Sequence, residues 1–201
     1  MSVREKKRTL AREAVLDAAE RLMRADDAAA FSMRELAAEA GVSFATPFNQ
    51  FGSKAAIAQA LSARRIALMS KRFLEAAPSG DTVSRVLAAV SIAVGVMLEE
   101  PQINRAIIRS LGFPGAQPGE VSAQSRALWA AAFGDGAGID PTLARTAAER
   151  VPEQLAIAFR GCLSFWIADE ISDAHLLEKA RTAASTVLLG FVEPSRRASL
   201  L

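Results

Sequence analysis

Apolar residues recur at helical spacing, three or four positions apart, through most of the chain, and strand-like alternation never persists. The first amphipathic stretch covers residues 9–24, and a second covers residues 33–40. Ser32 precedes the second stretch and Glu35 lies three residues further on, which is the capping-box signature of a helix start. Gly41 follows the second stretch and favours the left-handed conformation that ends many helices. Two helices are therefore predicted.

A short third helix is expected just after the glycine, and this spacing is typical of a helix-turn-helix. Its start is ambiguous because Pro47 lies within it. If Ser43 is the N-cap, the proline removes one helical hydrogen bond and disfavours helical geometry at Thr46. If Thr46 is the N-cap, the proline occupies the first helical position, where it fits best. Local chemistry favours Thr46, and both starts remain open.

The rest of the chain is also predicted to be helical, and the expected fold is all-α with about nine helices. Ser53 should cap a long helix that ends near residue 77, and Asp140-Pro141 is typical of another helix start. Pro152 should kink or restart the helix that follows. Further helices are expected at residues 81–100, 101–111, 120–133 and 173–193. Loops are expected at residues 25–30, 113–119 and 134–138. Residues 1–8 are expected to form a disordered basic arm, and residues 195–201 a frayed tail. We place a domain boundary after residue 54, between a basic arm with a helix-turn-helix domain at residues 1–54 and a larger helical domain at residues 55–201.

Charge is distributed unevenly along the chain, although the net charge is only +2. Residues 1–72 contain 13 Lys and Arg against 8 Asp and Glu, a net charge of +5. Residues 73–201 contain 11 Lys and Arg against 14 Asp and Glu, a net charge of −3. A basic N-terminal third favours contact with a polyanion through one end of the protein.

Candidate catalytic and metal-binding residues are too few to indicate an enzyme or a cofactor protein. Cys162 and His175 are each the only residue of their type, so a disulfide within the chain and a Cys-based metal site are excluded. Cys162 is expected to be a small buried hydrophobic residue. We therefore expect no enzymatic activity, no metal and no cofactor. The N-terminus lacks the apolar core of a signal peptide, and the apolar run at residues 86–98 is too short for a membrane span, so we expect a cytoplasmic protein without a membrane partner.

Residues 12–54 resemble the DNA-binding domain of the TetR (TetR/AcrR) family of transcriptional regulators. The family pattern is roughly a helix followed by T/S-x-x-x-I/L-A-x-x-A-G-V-S-x-x-T-x-Y-x-x-F-x-S-K. The chain is similar to this pattern over about residues 9–60, and the matching residues are Ser32, Leu36, Ala37, Ala40, Gly41, Val42, Ser43, Thr46, Phe51, Ser53 and Lys54. The resemblance implies a ligand-responsive regulator, a repressor that binds palindromic operator DNA as a homodimer. It also favours Ser43 as the start of the third helix, with a strained first turn.

The resemblance and the chemistry of the side chains indicate which residues contact double-stranded DNA. Lys54 lies in the first turn of a helix, where its charge opposes the helix dipole, and a phosphate partner would explain its placement. Asn49 and Gln50 have amides suited to pairing with adenine, and contact with solvent or phosphate is the alternative. Phe48 stands where the family usually has Tyr, so it cannot donate a hydrogen bond to phosphate, and it packs on a sugar, on a thymine methyl group or on the core. The candidate DNA-binding residues are Ser32, Arg34, Ser43, Phe44, Ala45, Thr46, Phe48, Asn49, Gln50 and Lys54.

The larger domain has more apolar surface than one subunit is expected to bury. Residues 155–167 and 176–191 are apolar on several sides of their helices, and the resemblance implies dimerisation through the last two helices. Aromatic and Met side chains favour a site for an apolar small-molecule effector. Candidate pocket residues are Met97, Phe113, Trp129, Phe133, Phe165 and Trp166, and candidate dimer-interface residues are Phe159, Leu163, Ala184, Leu188 and Phe191. The alternative function is that of a helical small-molecule-binding and dimerisation protein with weakened DNA binding.

Overall fold

Helices make up nearly all of the described structure, which confirms the all-α prediction. The computed structural model describes residues 2–25, 31–111 and 120–200. Within these residues the helices are α1 (Val3–Ala25), α2 (Met33–Glu39), α3 (Ala45–Phe51), α4 (Lys54–Ala76), α5 (Thr82–Glu99), α6 (Pro101–Ser110), α7 (Val121–Phe133), α8 (Ala144–Ile167) and α9 (Asp173–Leu189), followed by a 3-10 helix at Pro194–Leu200. Ile139 and Val192 form an isolated antiparallel β-bridge. The predicted loop at residues 113–119 and residues 26–30 of the predicted first loop lie outside the described residues.

The chain forms two compact units. The first consists of Met1–Ser62 and Pro101–Gly119, and the second of Ala63–Glu100 and Glu120–Leu201. The predicted boundary after residue 54 assigned α6 to the larger domain, whereas the structure assigns it to the first unit. The reason is packing, since Ile103 and Ile107 of α6 are buried in the same hydrophobic cluster as Val15, Leu36 and Ile57. A boundary drawn along the sequence separates these side chains.

Helix α1 begins at Val3, so the prediction of a disordered arm is wrong for residues 3–8. A capping box starts the helix. The Ser2 hydroxyl accepts a hydrogen bond from the backbone N–H of Glu5 at 3.2 Å, and the Glu5 carboxylate accepts one from the N–H of Ser2 at 2.6 Å. Ser2 and Glu5 have the same spacing as Ser32 and Glu35, so the sequence contained the signature of this helix start.

Helix α8 begins at Ala144, later than the Asp140-Pro141 pair predicts. The Asp140 carboxylate accepts hydrogen bonds from the backbone N–H of Thr142 at 2.9 Å and from its hydroxyl at 2.6 Å. Asp140 therefore stabilises a turn before the helix rather than the helix start itself. Pro152 lies inside α8 and is buried, and the helix continues through it without restarting.

The C-terminal tail is folded, so the prediction of fraying at residues 195–201 is wrong for the described residues. Residues Pro194–Leu200 form a 3-10 helix, and the guanidinium group of Arg196 forms an ion pair with Asp81. Asp81 also caps α5 by accepting a hydrogen bond from the N–H of Ser84 at 2.9 Å. Burial raises the pKa of Asp81, but the hydrogen bonds from Ser84 and the charge of Arg196 outweigh this effect and lower the pKa.

Helices α5, α7, α8 and α9 pack against one another to form the core of the second unit. Its largest fully buried side chains include Trp129, Trp166, Leu155, Leu176 and Leu188. Among the described residues, α5 is the one helix that is long and apolar enough to cross a membrane by length and composition. In the sequence analysis, only the apolar run at residues 86–98 had been considered, and it is shorter than a membrane span. Nearly half of α5 is buried within the chain, which is expected of a helix that packs in the interior of a folded domain.

Candidate DNA-binding site

Helix α2 starts with the predicted capping box. The hydroxyl of Ser32 accepts a hydrogen bond from the N–H of Glu35 at 3.1 Å, and the Glu35 carboxylate accepts one from the N–H of Ser32 at 2.6 Å. These hydrogen bonds with Ser32, with a smaller contribution from the charge of Lys54, lower the pKa of the Glu35 carboxyl. Leu36 and Ala37 of the same helix are buried. Capping and burial together hold the start of α2 at the surface of the first unit.

The turn between α2 and α3 is the glycine turn that the sequence predicts. Gly41 has a φ of +64°, which side chains other than glycine rarely adopt. The N–H of Gly41 donates to the carbonyl of Ala38 at 3.1 Å, and the N–H of Val42 donates to the carbonyl of Ala37 at 3.0 Å. This pair of hydrogen bonds is the Schellman motif, which satisfies carbonyl groups at the end of a helix.

Helix α3 runs from Ala45 to Phe51, and neither predicted N-cap starts it. Phe44 occupies the cap position with helical backbone angles and without a side-chain cap hydrogen bond. The carbonyl of Ser43 accepts a hydrogen bond from the N–H of Thr46 at 2.9 Å, and the two hydroxyl groups are hydrogen-bonded at 2.8 Å. Pro47 is thus the third helical residue, where an N–H would have no partner within the helix. The proline therefore removes no helical hydrogen bond.

Most candidate DNA-binding side chains lie at the protein surface. Phe44 is 54% exposed and Phe48 is 43% exposed, so packing of Phe48 in the core is ruled out. The two rings meet edge to face with their centroids 5.4 Å apart, and the guanidinium group of Arg34 lies 5.7 Å from the centre of the Phe44 ring. The exposed candidates are Ser32, Arg34, Ser43, Phe44, Ala45, Phe48, Asn49 and Lys54, whereas Thr46 and Gln50 are half-buried.

Gln50 differs from Asn49 because its side chain turns toward α1. Its Nε2 atom lies 3.5 Å from the carbonyl oxygen of Arg8, and Arg12 Nη1 lies 3.4 Å from the carbonyl oxygen of Gln50. The Arg12 guanidinium group also lies 4.3 Å from the centre of the Phe51 ring. Arg8 and Arg12 therefore position α3, a role that the sequence analysis missed because these residues are far from α3 along the chain. Of the two amides, that of Asn49 is exposed and that of Gln50 is half-buried.

Lys54 is the first residue of α4, and its side chain is exposed. The Ser53 hydroxyl accepts a hydrogen bond from the N–H of Ala56 at 3.2 Å, which confirms the predicted cap of this helix. The Lys54 ammonium group lies 5.1 Å from the centre of the Phe31 ring. Its charge also acts on the Glu35 carboxyl, so Lys54 lies close to the start of α2.

The candidate pocket residues do not all come together in the second unit. Four of them are buried there, namely Met97, Trp129, Phe133 and Trp166. Phe165 is 53% exposed and is not buried with them, and Phe113 lies outside the described residues. The Trp166 Nε1 atom donates a hydrogen bond to Asp173 Oδ1 at 2.7 Å. Within the described part of the chain, the buried Nε1 of Trp129 has no hydrogen-bond partner.

The candidate dimer-interface residues are mostly buried within the chain itself. Phe159, Leu163, Ala184 and Leu188 are buried, and Phe191 is half-buried. Because α8 and α9 pack against each other and the rest of the second unit, the buried four are not exposed to a second subunit, and their assignment to the interface is corrected. The large apolar residues that these helices expose are Ile157, Phe165 and Leu177.

Comparisons with known proteins give one match to a sequence family and several matches to solved structures with a similar helical fold. Residues 15–61 match the sequence model described as bacterial regulatory proteins, tetR family. No curated protein sequence matches the chain. A TetR transcriptional regulator from Rhodococcus sp. RHA1 superposes with a TM-score of 0.74 at 20% sequence identity, over 90% of this chain and 97% of that one. Full-length native TylP, a TetR regulator from Streptomyces fradiae, superposes with a TM-score of 0.58 at 18% identity, over 95% of this chain and 90% of that one.

The helix-turn-helix lies within the segment that is similar to bacterial regulatory proteins of the tetR family. The structural similarity, at these identities, establishes the fold, and the sequence match covers the second half of α1, α2, α3 and the start of α4. The chain is thus similar to the tetR family of bacterial regulatory proteins over residues 15–61, and it has the fold of the two solved TetR regulators.

Proposed function

We propose that the protein is a ligand-responsive repressor that binds palindromic operator DNA as a homodimer. The observation that carries the proposal is the exposure of basic, amide and aromatic side chains in the helix-turn-helix and at the start of α4. These side chains are Arg34, Phe44, Phe48, Asn49 and Lys54. Basic side chains neutralise phosphates, and an exposed amide on a short helix contacts base edges in the major groove. A protein with this role acts on DNA in the cytoplasm and needs no membrane partner.

The proposed homodimer is supported by the size of the recognition helix and by exposed apolar residues. Helix α3 has only seven residues, so one copy makes few base contacts and two copies on a palindrome give useful affinity. Ile157, Phe165 and Leu177 expose apolar side chains on α8 and α9, which a second subunit would cover. The two subunits would then contact half-sites about 34–36 Å apart, one turn of DNA.

The proposed effector is a small apolar molecule that has a hydrogen-bond acceptor. Trp129 is buried against the ring of Phe159, with the ring centroids 5.4 Å apart, and its indole N–H lacks a partner among the described residues. An unpaired buried donor costs about 1–3 kcal/mol, and a bound acceptor would remove this cost. The effector shifts the DNA-bound population only by its difference in affinity for two conformations, typically about 1–3 kcal/mol.

A band-shift assay with genomic fragments from around the protein's own gene tests the proposal. The full-length protein should retard a specific fragment in the presence of excess unrelated DNA, with an affinity that falls steeply as salt increases. The double variant Arg34→Ala, Lys54→Ala should lose most of this binding. Lys71→Ala is the matched control, because it removes an exposed charge from α4 outside the helix-turn-helix. A double variant that binds as tightly as the control would contradict the proposed contact face.

The second candidate is a helical small-molecule-binding and dimerisation protein with weakened DNA binding. Phe48 favours it, because this residue lacks the phenol that the family usually has at this position. In that case no fragment would be retarded, although the protein would still sediment as a dimer.

A reporter assay tests whether the proposed regulator represses transcription. A reporter gene placed behind the bound fragment should be silent when the protein is present, and activation by the protein would contradict repression.

A further inference from the structure

Two phenylalanine rings on the DNA-binding face are exposed to solvent. Phe44 and Phe48 lie four residues apart at the start of α3, and their rings form an edge-to-face pair with centroids 5.4 Å apart. More than two-fifths of each residue is exposed, which is unfavourable in water unless a partner covers the rings. Arg34 lies 5.7 Å from the centre of the Phe44 ring, so the rings form a small apolar surface beside a cation.

The charge around this apolar surface indicates a polyanionic partner. Arg34 lies beside the Phe44 ring, and Lys54 is exposed at the start of α4. Residues 1–72 have a net charge of +5, from 13 Lys and Arg against 8 Asp and Glu. Neither ring can donate a hydrogen bond, so neither recognises a phosphate or a base edge through one. The apolar group that DNA presents in its major groove is the C5-methyl group of thymine.

We infer that Phe44 and Phe48 form a contact surface for thymine methyl groups, and that operator recognition depends on those methyl groups. The inference rests on the proposed DNA-binding function. Asn49 follows Phe48 in the same exposed segment, and its amide is suited to adenine. The half-site contacted by this segment therefore contains A·T base pairs, one recognised through a methyl group and one through the amide.

Two pools of random DNA duplexes test the inference, one synthesised with thymine and the other with uracil, which lacks only the C5-methyl group. The full-length protein selects bound sequences from each pool. The thymine pool should yield a half-site that contains a thymine required for tight binding. Replacing that thymine by uracil should weaken binding about fourfold for each contacted methyl group, because the lost apolar contact has the size of one methyl group.

Variants of Phe48 test whether the dependence of binding on the thymine methyl group arises from the phenylalanine rings. Phe48→Ala should bind the thymine operator more weakly, and the change from thymine to uracil should then have little further effect. Phe48→Leu retains an apolar side chain and should keep part of the methyl dependence. Leu74→Ala removes an exposed apolar residue of α4 outside the helix-turn-helix and should keep all of it. Thermal unfolding followed by circular dichroism verifies that each variant is folded.

The outcomes separate this inference from the proposed function. Equal binding of thymine and uracil operators by the unmodified protein would overturn the inference and leave DNA binding intact, with the rings against the sugar–phosphate backbone. A methyl dependence that survives in Phe48→Ala and in Phe44→Ala would overturn the assignment to these rings. If no sequence is selected from either pool, the proposed DNA-binding function fails, and the inference fails with it.

Discussion

At the residue scale, the basic side chains of the first unit differ in how many contacts they make within the protein. Arg12 contacts the Phe51 ring and the backbone of Gln50, so it stabilises the position of α3. Lys54 is exposed in the first turn of α4, where the helix dipole disfavours a positive charge. Within the chain its ammonium group lies near the Phe31 ring and its charge acts on the Glu35 carboxyl, and contact with a DNA phosphate is the further role that we propose for it.

We expect Lys54→Ala to weaken binding to all DNA sequences to a similar extent, because a phosphate contact carries no sequence information. The slope of log affinity against log salt concentration should become shallower by about one unit. Lys71→Ala is the control, since Lys71 lies on the same helix, where it pairs with Glu75. Filter binding over a series of salt concentrations measures both quantities, and an unchanged slope would exclude the phosphate contact.

Replacement of the two neighbouring amides of α3, Asn49 and Gln50, should affect the sequence preference for DNA differently. Asn49→Ala should relax sequence preference at one operator position, at a cost of about 1–3 kcal/mol there. Gln50→Ala should leave the preferred sequence unchanged, because the Gln50 side chain is directed at the Arg8 carbonyl. Affinities for a panel of operators, each changed at one position, distinguish these effects. A changed preference in Gln50→Ala alone would reverse the assignment.

At the element scale, the start of α2 depends on the reciprocal hydrogen bonds between Ser32 and Glu35. We expect Ser32→Ala to lower the free energy of unfolding by about 1 kcal/mol, the usual cost of losing an N-cap. Urea unfolding followed by circular dichroism measures this change. Ser164→Ala, an exposed position inside α8, is the control and should have little effect. A Ser32→Ala protein as stable as this control would show that the capping box contributes nothing.

The same capping box predicts a dependence of stability on pH. The hydrogen bonds with Ser32 lower the pKa of Glu35 below its ordinary value of 4.5 in the folded protein. The unfolded chain therefore binds a proton at this carboxyl more readily than the folded protein does, and acid favours unfolding. The stabilisation by Glu35 should be complete well above pH 4.5 and should be lost as the pH falls through the lowered pKa. Glu35→Gln should reduce the drop in thermal stability between pH 7 and pH 3, and an undiminished drop would contradict the prediction.

At the scale of the whole molecule, the proposed dimer depends on residues that the subunit leaves exposed. Ile157 is 58% exposed and Phe165 is 53% exposed on α8, whereas Leu188 on α9 is fully buried. A charge at Leu188 would enter the interior of the subunit and destabilise the fold. The exposed residues of α8 are therefore the positions at which dimerisation is tested without unfolding the subunit.

We expect Ile157→Glu to give folded monomers that bind operator DNA much more weakly, because the charge would enter an apolar interface and two recognition helices are needed. Leu74→Glu is the control, since Leu74 is 70% exposed on α4 and should tolerate the charge without loss of the dimer. Sedimentation measures the oligomeric state, and a band-shift assay measures DNA binding. An Ile157→Glu protein that remains dimeric, or monomers that bind as tightly as dimers, would refute the arrangement.

The sequence by itself determined the helices, one cap and one turn, because these features depend on interactions between residues close together in the chain. Apolar spacing predicted the helices, and the hydrogen bonds at Ser32 and the turn at Gly41 join residues at most five positions apart. Ser2 and Glu5 have the same signature, so the start of α1 was equally predictable and was overlooked. The Asp140-Pro141 pair was misassigned because a turn and a helix cap use the same carboxylate and similar backbone donors.

Only the tertiary structure decided which side of each helix is covered and by what. Gln50 meets the backbone of Arg8 across 42 positions, and α6 joins the first unit because Ile107 packs in its hydrophobic cluster. On α8 and α9, which are apolar on several sides, the structure buries Leu188 and exposes Phe165. Helical periodicity specifies a face of a helix but not its partner, because the partner comes from a segment far away in the sequence.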